Sequence, residues 1–108
     1  MSYIEEFLQT PQKLIYPYRI LILKILSEKD DYIRFRDLRE FLKTSDSNLF
    51  SNLRGLEKDS LIETTIKIEG KNPKTYCRIT SKGKEAYNNF RNSIIKVMDT
   101  DVLTIVNR

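Results

Sequence analysis

The chain has 108 residues, 40% of them apolar and 31% charged, with a net charge of +4, the proportions of a globular chain of one domain with a single core. It holds one cysteine and no histidine, which excludes intramolecular disulfides, Cys/His metal sites and His-dependent nucleophilic catalysis. The basic excess favours polyanionic partners, although its placement matters more than its total.

Ser2 to Leu8 sets Ile4, Phe7 and Leu8 at helical spacing and predicts a short helix. Pro17 pre-sets a second helix, in which Ile20, Ile22, Leu23, Ile25 and Leu26 cover more than one face, as in a buried central helix. This stretch is interrupted by Lys24 and is far short of the about 20 residues that cross a bilayer. Asp30 and Asp31 end it, and Tyr32 to Phe35, aromatic and β-branched, predicts a small edge strand. A short helix follows over Arg36 to Leu42, with Phe35, Leu38 and Leu42 inward. Ser45 then caps a further helix whose positive end Asp46 complements, and Leu49, Leu53 and Leu56 form its apolar stripe.

Leu61 to Ile68 and Thr75 to Ile79 read as strands joined by the turn E-G-K-N-P-K. Thr80 or Ser81 caps a long helix bearing Ala86, Tyr87, Phe90, Ile94, Val97 and Met98. Beyond Asp99 and Asp101 the tail is open between a separate helix, a strand and a frayed end. No linker or repeat divides residues 1–108, so a single domain is expected. Its element order is that of a mostly α, α+β winged helix-turn-helix: a three-helix core, a β-hairpin wing and terminal helices.

With the leucine stripe inward, a step of about 100° per residue turns Ser47, Ser51, Arg54 and Lys58 outward and leaves Asn48 and Gly55 at the margin. The second helix of a helix-turn-helix enters the major groove by its N-terminal residues. Ser47, Asn48 and Ser51 are therefore assigned to base edges, Arg54 to bases or phosphate, and Lys58 to phosphate. A solvated helix face carries the same residue types. Phe50 flanks the core, packed on the preceding helix or exposed, and the place of Asn52 is open.

From Gly70 to Lys84 the chain carries Lys71, Lys74, Arg78, Lys82 and Lys84 and no acidic residue. A hairpin bearing Lys71, Asn72, Lys74 and Arg78 can follow phosphates or enter the minor groove. Taken alone it is ordinary charged surface. Beside a polar helix in this element order, it supplies the second half of a contact with double-stranded DNA.

The stretches P-Y-R-I-L-I-L-K-I-L, F-R-D-L-R-E-F-L, S-D-S-N-L-F-S-N-L-R-G-L-E and G-K-N-P-K-T-Y-C-R-I-T-S-K-G-K-E-A-Y together resemble the MarR-like winged-helix regulators of archaea and bacteria, from about Pro17 to Phe90. The resemblance implies that Ser47, Asn48, Ser51 and Arg54 occupy recognition-helix positions and Lys71, Asn72 and Lys74 the wing. It also places Gly83 and Ala86 at the start of a dimer helix. The chain departs from the pattern where many relatives carry glycine at Ser47 and at Ser60, and it lacks a histidine common near Asn52.

The apolar run of the last helix, continued by Val102, Leu103, Ile105 and Val106, exceeds what one small core absorbs. Helices 2–9 and 81–98 are therefore expected to form a homodimer interface through Ile4, Phe7, Leu8, Tyr87, Phe90, Ile94, Val97 and Met98. The alternative is that the last helix folds back on its own domain. A two-fold dimer sets its recognition helices about 34 Å apart and predicts a palindromic operator.

No catalytic or metal-ligating constellation stands out, and no cofactor is expected. Glu5/Glu6 and Asp30/Asp31 read as helix-end and solvated charges. Cys77, beside Arg78, is a small strand residue or a redox-responsive thiol. The N-terminus carries Glu5 and Glu6 and no basic run, so neither a secretory signal nor a membrane anchor is expected and the location is cytoplasmic. The reading is a sequence-specific transcriptional regulator, a repressor because no spare domain is available for polymerase. The alternative is a winged-helix protein-interaction module in a transcription or chromatin complex. A ligand-gated regulator is a third possibility, but no polar constellation names an effector.

Overall fold

The computed structural model describes residues 2–107, the side chains of residues 2, 13 and 102 excepted. Among these residues the chain forms α1 (Ser2–Leu8), a 3-10 turn (Gln12–Leu14), α2 (Pro17–Lys29), β1 (Ile33–Arg34), α3 (Phe35–Leu42), α4 (Asp46–Lys58), β2 (Ile62–Glu69), β3 (Asn72–Ile79), α5 (Ser81–Asp99) and α6 (Val102–Val106). The strands form one antiparallel sheet in the order β1-β3-β2. This is the winged helix-turn-helix layout that the sequence predicts.

Pro17 stands in the first turn of α2, and Asp30, in the left-handed region at φ 53°, stops the helix. Ile22, Leu23 and Leu26 are fully buried, so α2 is the axis of the core. Leu38 of α3, the stripe Leu49, Leu53 and Leu56 of α4, and Ile62, Cys77 and Ile79 of the sheet join them there. Phe35 is the first residue of α3 rather than the last of the strand, and its ring is buried. The 3-10 turn is an element that periodicity does not predict. It is too short to show a period, yet it delivers Leu14 to the core.

Backbone chemistry closes both helices of the helix-turn-helix. At the end of α3 the Lys43 and Thr44 amides donate to the Glu40 and Arg39 carbonyls, and Ser45 Oγ then accepts from the Asn48 amide at 3.1 Å. At the end of α4 the Ser60 amide donates to the Glu57 carbonyl and the Leu61 amide to the Leu56 carbonyl. This is a Schellman ending, which favours glycine at its left-handed residue. Here that residue is Ser60, at φ 62°, where a Cβ crowds the following carbonyl. Ser60→Gly is expected to raise stability by about 1 kcal/mol. An unchanged or lower urea midpoint would show that the serine is not strained.

The hairpin is tighter than its sequence indicates. Glu69 pairs directly with Asn72, so only Gly70 and Lys71 form the turn, and Gly70 takes the positive φ (64°) that such short turns require. Pro73 lies within β3, opposite Ile68. It is tolerated because β1 pairs with β3 only at Tyr76 and Cys77, leaving the other edge of β3 open near the tip. Thr80, not Ser81, caps α5, its Oγ1 accepting from the Gly83 amide at 3.0 Å. Val102–Val106 forms α6, so the open reading of the tail resolves there as a separate helix.

Candidate nucleic-acid interface

The stripe that buries Leu49, Leu53 and Leu56 leaves Ser47, Ser51, Arg54 and Lys58 exposed on the other side of α4. Asp46, in the first turn, would repel a phosphate, but Arg39 of α3 meets it at 2.7 Å. Among the described residues Arg54 and Lys58 make no salt bridge with an acidic side chain. Phe50 resolves as both packed and exposed: it stacks on Phe35 with ring centroids 4.3 Å apart, tying α4 to the start of α3.

Asn48 is half-buried and its side chain is engaged. Its NH2 donates to Thr44 Oγ1 at 2.6 Å, and its Oδ1 accepts from Asn52 Nδ2 at 3.3 Å. Asn52 is thereby placed on the flank of α4, where its Oδ1 also accepts from Nε of Arg19 at 3.3 Å. Arg19 was not among the expected recognition residues. One signal was available: Gly55 interrupts a helix, where glycine is unfavourable unless something must approach closely, and the Arg19 guanidinium fills that space.

Register divides the hairpin into two faces. Ile62 with Ile79 and Thr64 with Cys77 lie on the inner face, where Ile62, Ile79 and Cys77 are buried and Thr64 is exposed, and Ile66 and Ile68, on the same face nearer the tip, are exposed. The other face pairs Glu63 with Arg78, Thr65 with Tyr76, Lys67 with Lys74, and Glu69 with Asn72. Lys71, at the turn, is exposed. Directly opposed lysines repel each other, so Lys67 and Lys74 form a site that an anion would relieve. Lys67 was not among the expected wing residues, since only the register brings it beside Lys74. Its ammonium lies 4.8 Å from the Tyr76 ring centroid and 5.1 Å from that of Tyr32. Arg78 stands at the base of the hairpin, 2.9 Å from Glu63 and over the Tyr32 ring. Among the described residues its charge is matched by a carboxylate, unlike that of the lysines at the tip.

Cys77 lies on the inner face and is fully buried, and burial pushes its thiol from 9.0 up to about 12. The neighbouring Arg78 is held on the opposite face and does not activate it. The folded chain keeps this proton at pH values where the unfolded chain loses it, so the thiol lowers stability as pH rises from about 9 toward 12. Replacing Cys77 by alanine is expected to shrink that alkaline loss. The native thiol is also expected to react with a disulfide reagent far more slowly than the unfolded one, and equal rates would contradict its burial.

The residues expected between subunits divide into two sets. Phe90 is buried in its own chain, and Phe7, Tyr87 and Ile94 pack against the same core. Within the chain α5 packs against α1, α2 and β3, and the Tyr3 and Thr100 hydroxyls lie 2.9 Å apart. Ile4 and Val97 are half-buried, while Leu8 (75% exposed) and Met98 (70%) face outward together with Leu103 and Val106 of α6. A cleft of about 610 Å³ opens between α1, α4 and α5, lined by apolar Leu14, Leu56 and Phe90 and by Arg19 and Lys82.

Residues 18–98 match the family described as winged helix DNA-binding domain. An uncharacterized protein of Methanocaldococcus jannaschii is 33% identical over 79 residues, 73% of this chain and 85% of that protein. The transcriptional regulator homologue protein from Pyrococcus horikoshii OT3 is similar in structure, with a TM-score of 0.81 and 28% identity over 92% of this chain and 96% of that one. MepR of S. aureus, in its complex with DNA, shares the fold with a TM-score of 0.70 at 17% identity, covering 96% of this chain and 82% of that one. The chain belongs to the winged helix DNA-binding domain family, whose members are DNA-binding proteins rather than enzymes, and it has the MarR-like regulator fold that its sequence resembles.

Proposed function

We propose that the chain is a homodimeric transcriptional repressor that occupies a palindromic operator in double-stranded DNA. One observation carries this reading: Ser47, Ser51, Arg54 and Lys58 stand exposed on one side of α4, at the position in the fold that enters the major groove. The slim serines allow close approach, and Asn48 and Arg54 are suited to adenine and guanine edges. Lys71, Asn72 and Lys74 of the wing, with Lys67, would meet phosphates or the minor groove. Arg78 would support the hairpin through Glu63 more than it would bind DNA. The test is binding to duplex at graded salt, because phosphate contacts release counterions and a protein-interaction module has no such dependence on nucleic acid.

Pairing is supported by Leu8 and Met98, whose exposure leaves apolar surface beside half-buried Ile4 and Val97. A second copy would cover that strip through its own α1, α5 and α6, while Phe7, Tyr87, Phe90 and Ile94 serve the core beneath. Sedimentation equilibrium at micromolar concentration is expected to give the dimer mass, shifted toward monomer in Met98→Asp. A strict monomer in the wild type would remove the dimer from this account. The cleft lined by Leu14, Phe90, Arg19 and Lys82 has the size of a small-molecule site and supports gating by an effector. Such a ligand is expected to shift the operator titration.

A further inference from the structure

We propose that Arg19 is a positioning residue for sequence recognition, acting through Asn52 to fix the orientation of the Asn48 amide. The inference rests on the reading above, in which α4 meets duplex DNA.

The geometry is a directional chain of donors running from α2 to the start of α4. A Cβ at Gly55 would lie 2.3 Å from Nη2 and 2.5 Å from Cζ of Arg19, so the guanidinium rests against the bare backbone of α4. The Tyr16 ring centroid lies 4.9 Å from the same Cζ. Held there, Arg19 Nε donates to Asn52 Oδ1 at 3.3 Å. Asn52 Nδ2 donates in turn to the Asn48 carbonyl at 2.9 Å and to Asn48 Oδ1 at 3.3 Å. Asn48 Nδ2 finally donates to Thr44 Oγ1 at 2.6 Å.

Arginine can only donate, whereas an asparagine amide donates from one end and accepts at the other. The Asn48 carbonyl, which can only accept, turns the NH2 of Asn52 toward Asn48, and the guanidinium reinforces this by holding the oxygen of Asn52 toward α2. That in turn fixes which end of Asn48 faces Asn52 and which faces Thr44. The amide of Asn48 has two N–H groups and two acceptor positions, and this chain uses one of each. One donor and one acceptor remain, the set that recognises adenine in the major groove. Without Arg19 the orientation of Asn52 rests on its bond to the Asn48 carbonyl alone, and the two ends of the Asn48 amide are held less firmly in their order.

Gly55→Ala gives the sharpest test, because it alters no group in the hydrogen-bond chain and removes no charge. It displaces only the flexible tip of Arg19, and alanine is the better helix former. Binding of Gly55→Ala, Arg19→Met and Asn48→Ala would be measured on a duplex selected by the wild type and on the same duplex with single base substitutions. Gly55→Ala is expected to keep or raise the melting temperature and to retain the wild-type salt slope. Its preference at the base pair read by Asn48 is expected to fall about tenfold. Arg19→Met should lose the same preference, and neither substitution should have a further effect in an Asn48→Ala background. In nitrogen-15 spectra of the free protein, both variants should shift the Asn48 side-chain amide. If Asn48→Ala loses the preference while Gly55→Ala keeps it, or if Arg19→Met loses it only in step with its melting temperature, the positioning role is overturned. If the wild type shows no base preference at all, the reading of α4 fails, and the inference fails with it.

Discussion

Alanine at Gly83 is expected to destabilise the fold by about 2–4 kcal/mol, among the largest effects open to a single methyl group. The added Cβ would lie 2.0 Å from the Leu61 carbonyl oxygen and 2.8 Å from Cγ1 of Ile79. Neither neighbour can yield cheaply. The Leu61 carbonyl accepts from the Thr80 amide at 3.0 Å, and the Leu61 and Ile79 side chains belong to the buried core. The Gly83 amide also receives the Thr80 cap that starts α5, so a shift of the helix to relieve the clash would break its own N-terminus. Gly83 thus fixes where α5 leaves the sheet, a more specific role than marking the start of a dimer helix. Urea denaturation measures the effect, and a variant within about 0.5 kcal/mol of the wild type would show that the approach is looser than this.

The second large effect is on DNA binding. Asn48→Ala and Arg54→Ala are each expected to weaken cognate binding by about 1–3 kcal/mol and to relax the preference at one base pair of each half-site. Lys74→Ala should behave differently. It removes one of two opposed lysines on the hairpin, so it should reduce the logarithmic salt slope by about one per protomer and weaken all sequences alike. Binding isotherms on matched and mismatched duplexes at several salt concentrations separate the two outcomes. Uniform losses for Asn48→Ala, or an unchanged salt slope for Lys74→Ala, would show that these side chains do not meet DNA in the assigned way.

The contrast between Asn48 and Lys67 shows what the sequence makes legible. The periodic elements could be read directly: the leucine stripe of α4 follows from its i, i+4, i+7 spacing, and the end of α2 follows from the polar pair Asp30 and Asp31. Positions that depend on how elements meet could not. Lys67 becomes a hairpin lysine opposite Lys74 only once the register is fixed by a two-residue turn, whereas the residue types alone indicate the longer turn E-G-K-N-P-K. Helical geometry leaves Asn48 at the margin of the outer face but does not show that Thr44 and Asn52 engage its half-buried amide. In the same way, the apolar length of α5 pointed to a subunit interface without saying which of its residues the protomer itself uses. Phe90 is used inside the protomer, and Met98 is left outside it.

The central claim is that α4 and the lysine-bearing hairpin together grip a duplex. Its most direct test is selection from random double-stranded DNA with the purified wild-type protein, followed by titration of the recovered duplex across a salt series. The account predicts a two-fold symmetric site with half-sites about 34 Å apart, bound with an affinity that falls linearly in log–log form as salt rises. No enrichment, together with no binding to duplex at low ionic strength, would contradict it.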